Sequence, residues 1–137
     1  MSETFTHRHI LLDTSVLVDF GEIHDQLPMD CAASISAVTL AELAAGVNSS
    51  PDPIRQTQRQ LQLQWVARTF EPLAFDADSA YVYGSLSLLV QRIGRKPRKR
   101  VADLQIAATA VQHALPLYTR NPDDFRGLEP LLNLVAI

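Results

Sequence analysis

Short apolar runs and amphipathic stretches alternate along this chain from one end to the other. Ile10, Leu11 and Leu12 form an unbroken apolar run that stops at Asp13, the pattern of a strand buried on both faces with a carboxylate at its C-terminal end. Ile35 to Val38 is the next β-branched stretch. A helix is expected after it, opened by Thr39 as N-cap with Glu42 completing a capping box, and closed by Gly46. Asp52 as N-cap and Pro53 at the first helical position open another helix. Ile54, Leu61 and Trp65, at spacings of seven and four, mark its expected buried face. Residues 72–75 read as a strand, and Asp76 or Asp78 starts a helix that runs to about Ile93 and ends at Gly94. Residues 102–113 form a strongly apolar helix with Asp103 in its first turn. Residues 116–119 read as a strand, and the segment from Leu131 to Ile137 closes with a last short one. Strand and helix alternating in this way predict an α/β fold: a three-layer sandwich with a central, mostly parallel β-sheet flanked by helices. Residues 1–8 are polar and read as a loose tail to a single domain.

Composition narrows the class. A chain of 137 residues suits one domain, and 47% hydrophobic with 20% charged residues is ordinary globular usage, which argues against long disorder. No apolar run approaches the ~18 residues needed to span a bilayer, and the start lacks a basic-then-apolar signal segment, so no membrane partner is expected. Cys31 is the single cysteine, which excludes an internal disulfide and a thiolate zinc cage. These features together read as a soluble, cytoplasmic protein. The net charge of −3 hides an uneven distribution, because six of the twelve basic residues fall between Arg92 and Arg100. Such a run is either a phosphate-contacting patch or a solvated connection.

The acids carry the candidate chemistry. In open α/β sheets, ligands bind beyond the carboxyl ends of the strands. Asp13 follows the first strand, Glu42 lies early in the helix after the second, and Asp124 follows the strand at 116–119. Asp103 begins the helix that leads into that strand, so four carboxylates are expected at one edge. Two carboxylates 4 Å apart repel by roughly 4 kcal/mol at an effective dielectric of 20, so such a cluster takes up protons or binds a cation. Acid-only oxygen donors favour a hard ion, Mg²⁺ or Mn²⁺. Singly, the acids have structural readings too: Asp103 and Asp124 at helix N-termini, Glu42 in its capping box. Asp13 is the hardest to dismiss in this way, since a carboxylate gains nothing from a strand end. Thr14 and Ser15 either orient it or form a turn.

Other Asp-bearing α/β enzymes fit poorly. A dehalogenase-like phosphatase needs a second Asp at position 15, which is Ser. A receiver domain needs a late lysine after a strand, and the only lysines are Lys96 and Lys99. No glycine-rich phosphate loop and no G-x-S-x-G elbow occur. His7 and His9 fall in the tail, and His113 reads as a capping or surface residue at a helix end.

In order, LLDTSVLVDF, SAVTLAELAAG, ADLQIAATA and YTRNPDDF resemble the motifs of the PIN-domain nucleases, and among them the VapC-type toxins of bacterial VapBC toxin–antitoxin pairs. The resemblance runs from about His9 to Asn133. It implies a divalent-metal-dependent endoribonuclease, with Mg²⁺ or Mn²⁺ as cofactor, in which metal-activated water attacks an RNA phosphodiester. By position it implies Asp13, Glu42, Asp103 and Asp124 as catalytic and metal-binding acids, with Thr14, Ser15 and Asn121 in support. Phe125 favours Asp124 over its neighbour Asp123 as the fourth acid. It further implies a homodimer and a small cognate VapB-like antitoxin that inserts a segment near the acids. Relatives often have Asn where Ser15 stands, and a proline-and-acid loop where this chain has RKPRKRVA. Because an acidic site repels RNA, Arg95, Lys96, Arg98, Lys99 and Arg100 are expected to supply positive surface for the substrate. The alternatives are an RNA-processing PIN nuclease that is no toxin, and a non-catalytic RNA-binding PIN domain.

Overall fold

A computed structural model describes residues 9–27 and 31–137. In chain order the elements are β1 (His9–Leu12), α1 (Thr14–Val18), α2 (Phe20–Ile23), β2 (Ala32–Ser36), α3 (Ala37–Val47), α4 (Pro53–Thr69), β3 (Glu71–Leu73), α5 (Ala77–Arg92), α6 (Val101–Gln112), β4 (Leu117–Thr119) and β5 (Leu134–Ala136). Short 3₁₀ turns occupy His24–Gln26, Pro97–Lys99 and Pro122–Phe125. The sheet runs β3-β2-β1-β4-β5, with every pairing parallel. The chain builds outward from β1 through β2 to β3, then crosses back to lay β4 and β5 on the other side. The carboxyl ends of β1 and β4 therefore flank the point where strand order reverses, the place where ligands bind in such sheets.

The apolar run of β1 is unbroken because both faces of the sheet are covered. Leu11 joins one cluster, with Leu86, Val90, Leu104, Ile106 and Phe125 from the α5–α6 side. Ile10 and Leu12 join the other, with Val16, Leu17, Ile23, Val66 and Phe70 from the α1, α2 and α4 side. The alternation is the two-residue period of a strand, and β4 repeats it with Leu117 and Tyr118. Two cores, one on each face, make the three layers.

Local chemistry fixes the helix ends. Asp52 caps α4 by accepting from the Ile54 amide at 3.0 Å. Asp76, rather than Asp78, caps α5: its Oδ1 accepts from the Ser79 amide at 3.0 Å and its Oδ2 from Gln112 Nε2 at 3.2 Å, which ties the start of α5 to the end of α6. Gly94, at φ +81°, ends α5 in a Schellman turn, with Arg95 N bonded to Val90 O and Gly94 N to Gln91 O.

Four expectations need correction. Ser36, not Thr39, is the N-cap of α3, its hydroxyl accepting from the Val38 amide at 3.0 Å, and the helix runs past Gly46 to Val47. The strand expected at 72–75 is β3, Glu71–Leu73, paired with Ser34 to Ser36. His9 belongs to β1, where its Nε2 lies 2.7 Å from Ser34 Oγ, whereas His7 and the tail at 1–8 fall outside the described residues. The face of α4 is the largest departure. Ile54 and Leu61 are 69% and 60% exposed, and the buried residue is Val66, with Trp65 packed beside Phe20 and Phe70. The inward stripe is partly polar: Arg59 Nη1 donates to Gly46 O at 2.9 Å and Gln62 Nε2 to Leu17 O at 2.9 Å. Hydrogen bonds to backbone carbonyls, with the side-chain stems as packing surface, dock this half of the helix.

Candidate active site

Asp13 is held at the β1–β4 seam, where its amide donates to Tyr118 O at 2.9 Å. It precedes α1 in an extended conformation, yet its carboxylate caps nothing. Instead Oδ2 accepts two hydroxyl protons, from Ser15 at 2.7 Å and from Thr119 at 2.8 Å. Each of those hydroxyls in turn accepts a backbone amide: Ser15 from Arg120 at 3.1 Å, Thr119 from Asn121 at 3.0 Å. A hydroxyl carries one proton, so both are committed to Oδ2. Asp13 is only 5% exposed, and among the described residues no buried side-chain oxygen or nitrogen lacks a partner. Oδ1 accepts no bond from those residues, so it is the oxygen that meets solvent.

Glu42 lies in the second turn of α3, since the helix starts at Ala37, and so takes no part in a capping box. Its carboxylate is exposed and accepts from Thr14 Oγ1 at 2.7 Å. Asp103 occupies the first turn of α6. Burial, and then the charges of Asp124, Asp13 and Glu42, raise its pKa to about 6, against the opposing pull of Arg100. One carboxyl group thus feels the other three, and the four expected acids share one electrostatic site.

Asp124 and Asp123 part company in the Pro122–Phe125 turn. Asp124 Oδ1 pairs with Arg100 Nη1 at 3.0 Å. Asp123 turns to Arg95 at 3.0 Å and Arg126 at 3.3 Å, and the Arg95 hydrogen bond and charge hold its carboxyl below the usual range. Of these two neighbours, it is Asp124 whose charge raises the Asp103 pKa. The same pairs divide the basic loop: Arg95 and Arg100 are engaged, while Lys96, Arg98 and Lys99 have no ion pair among the described residues. Asn121 is exposed and lines a cleft of about 390 Å³ with Ser15, Val18, Asp19 and Arg120. Arg120 is itself held by Asp19 at 3.0 Å and Glu22 at 3.6 Å. Sequence reasoning missed Thr119 and Arg120, and took Thr39 for a helix cap. Thr119 had a visible signal, a hydroxyl closing an otherwise apolar strand.

Among the described residues no three acidic, histidine or cysteine side chains are in place to hold an ion together. Asp124 faces Arg100 instead. The donor chemistry fits a hard divalent ion all the same. It is all carboxylate oxygen, Asp13 Oδ1 is open, and Asp103 keeps a proton to about pH 6 where a cation could take its place.

Comparisons with known proteins identify the family. The PIN domain family pattern matches residues 10–129, a span that takes in all four acids. Ribonuclease VapC5 of Mycobacterium tuberculosis is 36% identical over 121 residues, 87% of this chain and 87% of its own length. Ribonuclease VapC of Rickettsia bellii is 30% identical over 127 residues, 89% of this chain and 92% of its own. The crystal structure of VapBC-5 from Mycobacterium tuberculosis, a member of the VapBC family of toxin–antitoxin systems, superposes with a TM-score of 0.79 at 34% identity, covering 95% of this chain and 98% of that one. With this match running through β1, α3, α6 and β4, the chain belongs to the PIN-domain family, as a VapC-type member.

Proposed function

We propose that this VapC-type chain is the endoribonuclease toxin of a type II toxin–antitoxin pair and that Asp13, Glu42, Asp103 and Asp124 hold a divalent ion, Mg²⁺ or in its place Mn²⁺. The observation that carries the reading is Asp13, its Oδ2 held by Ser15 and Thr119 and its Oδ1 open at an edge shared with Asp103, whose pKa is raised by burial and by the charges of Asp124, Asp13 and Glu42. A cluster of that kind is a cation site waiting for its charge. A bound ion supplies Lewis-acid activation of water and of the scissile phosphate. The chain's own groups do the rest. Ser15 and Thr119 fix Asp13 so that Oδ1 points outward, Thr14 steadies Glu42, and a carboxylate of the cluster takes the proton from the attacking water. A purely RNA-binding domain has no use for a carboxylate caged by two hydroxyls beside three others.

The relatives' pairing with antitoxins supports a cognate VapB-like partner here, and the VapC-type resemblance supports a homodimer working in the cytoplasm. Among the described residues no helix is long and apolar enough to cross a membrane. The test is cleavage of single-stranded RNA by the purified chain. Products form with Mg²⁺, stop with chelator and return with Mn²⁺. Cleavage that persists in chelator overturns the ion's role, and no cleavage under any ion overturns the nuclease reading.

Substrate contact by the basic loop is a separate part of the proposal. Lys96, Arg98 and Lys99, the loop cations with no ion pair among the described residues, meet the phosphates in this reading, and for single strands each neutralised phosphate contributes about −0.7 to the slope of log K against log salt. Replacing the three by Gln flattens that slope by up to about 2 and weakens many RNA sequences alike, because phosphate contacts position without reading bases. Filter binding across a salt series checks this. An unchanged slope makes the loop a solvated connection.

A further inference from the structure

Thr39 is fully buried in the first turn of α3, one turn before Glu42. Three threonines further inside helices spend their hydroxyl on the carbonyl four residues back: Thr57 on Pro53, Thr69 on Trp65 and Thr109 on Gln105, at 2.9, 2.6 and 3.0 Å. Thr39 does otherwise. Its hydroxyl lies 3.0 Å from Thr14 Oγ1, across to the segment that follows β1.

Proton counting gives this contact a direction. Thr14 has one hydroxyl proton, and it goes to Glu42 Oε1 at 2.7 Å. The proton between the two threonines must then come from Thr39. Donation runs from a buried hydroxyl, through a half-buried one, to an exposed carboxylate. Hydrogen bonds linked in this sense polarise one another, so the second is stronger for the first. The buried end is also the rigid one, because Thr39 is β-branched and packed on all sides.

We propose that Thr39 is a positioning residue for Glu42, acting through Thr14. The relay holds Oε1 and leaves Oε2 free to face the other acids. Without it, an exposed glutamate on a helix surface samples several rotamers. The inference rests on the reading of Glu42 as one of the working acids and adds a residue outside the carboxylate cluster to its machinery.

The test uses Thr39→Val, Thr14→Val, the double variant and Thr39→Ser, in the full chain. On a single-stranded RNA cleaved by the parent, Thr39→Val lowers kcat by about five- to tenfold, the effect of one lost bond between two hydroxyls, with KM little changed. Thr39→Ser restores it. The double variant is no slower than Thr14→Val alone, because the two threonines act in series. Additive losses, or a loss that Ser does not rescue, assign Thr39 a packing role and overturn the relay. Unchanged kcat in Thr14→Val overturns it as well, even where Thr39→Val does not fold. A second readout needs no catalysis: three-bond NMR couplings of the Glu42 side chain report a single rotamer in the parent and averaging in Thr39→Val and Thr14→Val. A single rotamer kept in the variants overturns the proposal. Absent cleavage with averaged couplings overturns the nuclease reading and leaves the relay standing.

Discussion

Asp13→Asn abolishes RNA cleavage, by at least about 10³-fold, and leaves the fold in place. The size follows from losing several kcal/mol of charge stabilisation at a reacting phosphate, each ~1.4 kcal/mol being tenfold in rate. The side-chain volume is unchanged, but the amide cannot suit both of its surroundings. If its oxygen accepts from Ser15 and Thr119, its NH₂ replaces Oδ1 and offers protons where the proposed ion would bind. If it is flipped, two hydroxyl donors face a third donor. The first orientation keeps both hydrogen bonds and removes one of the charges that crowd Asp103. The ion-free melting temperature therefore stays near that of the parent. Cleavage and thermal melting on the same preparation check both halves, and parent-like cleavage removes Asp13 from the mechanism.

Asp103→Asn raises the melting temperature of the ion-free protein at pH 7.5 by about 3–6 °C, and the gain vanishes at acid pH. In the folded chain Asp103 keeps its proton up to about pH 6, whereas the ordinary value for the group is 3.8. Between those values the folded state binds more protons than the unfolded one, so stability falls as pH rises through the window. Above it the penalty is fully present. After allowance for solvent screening of a partly exposed group it amounts to about 1–2 kcal/mol. Asn never carries the charge and escapes the penalty. Added Mg²⁺ or Mn²⁺ narrows the gap by stabilising the parent. Melting curves from pH 4 to 8 in chelator decide the matter: a parent and variant that run parallel at every pH show that the acids do not repel one another.

Much of this was legible in the sequence where local rules and burial agree. The run from Ile10 to Leu12 is apolar because both faces of β1 are covered, so its end at Asp13 is sharp. Asp52 and Gly94 act through groups within a few residues, and each stands where helix-end chemistry places it. Thr39 was misread for a reason that lies outside its own segment. Ser36 is an equally good cap, and the choice between them is made by β2, which ends at Ser36 because that residue pairs with Leu73. The α4 face failed because spacing reports apolar stripes, and this helix docks its N-terminal half with Arg59 and Gln62. The division of the basic loop was likewise hidden, since the partners of Arg95 and Arg100 lie 28 and 24 residues further along the chain.

The strand order has a temporal consequence. Synthesis runs from the N-terminus, and β1, β2 and β3 can pair as they emerge. At that stage the growing chain carries Asp13 and Glu42 but neither Asp103 nor Asp124. It also lacks Thr119, so only one of the two hydroxyls that aim Asp13 exists. The four acids come together only when β4 returns to the far side of β1, so the candidate site is assembled last, after nearly the whole chain has been made.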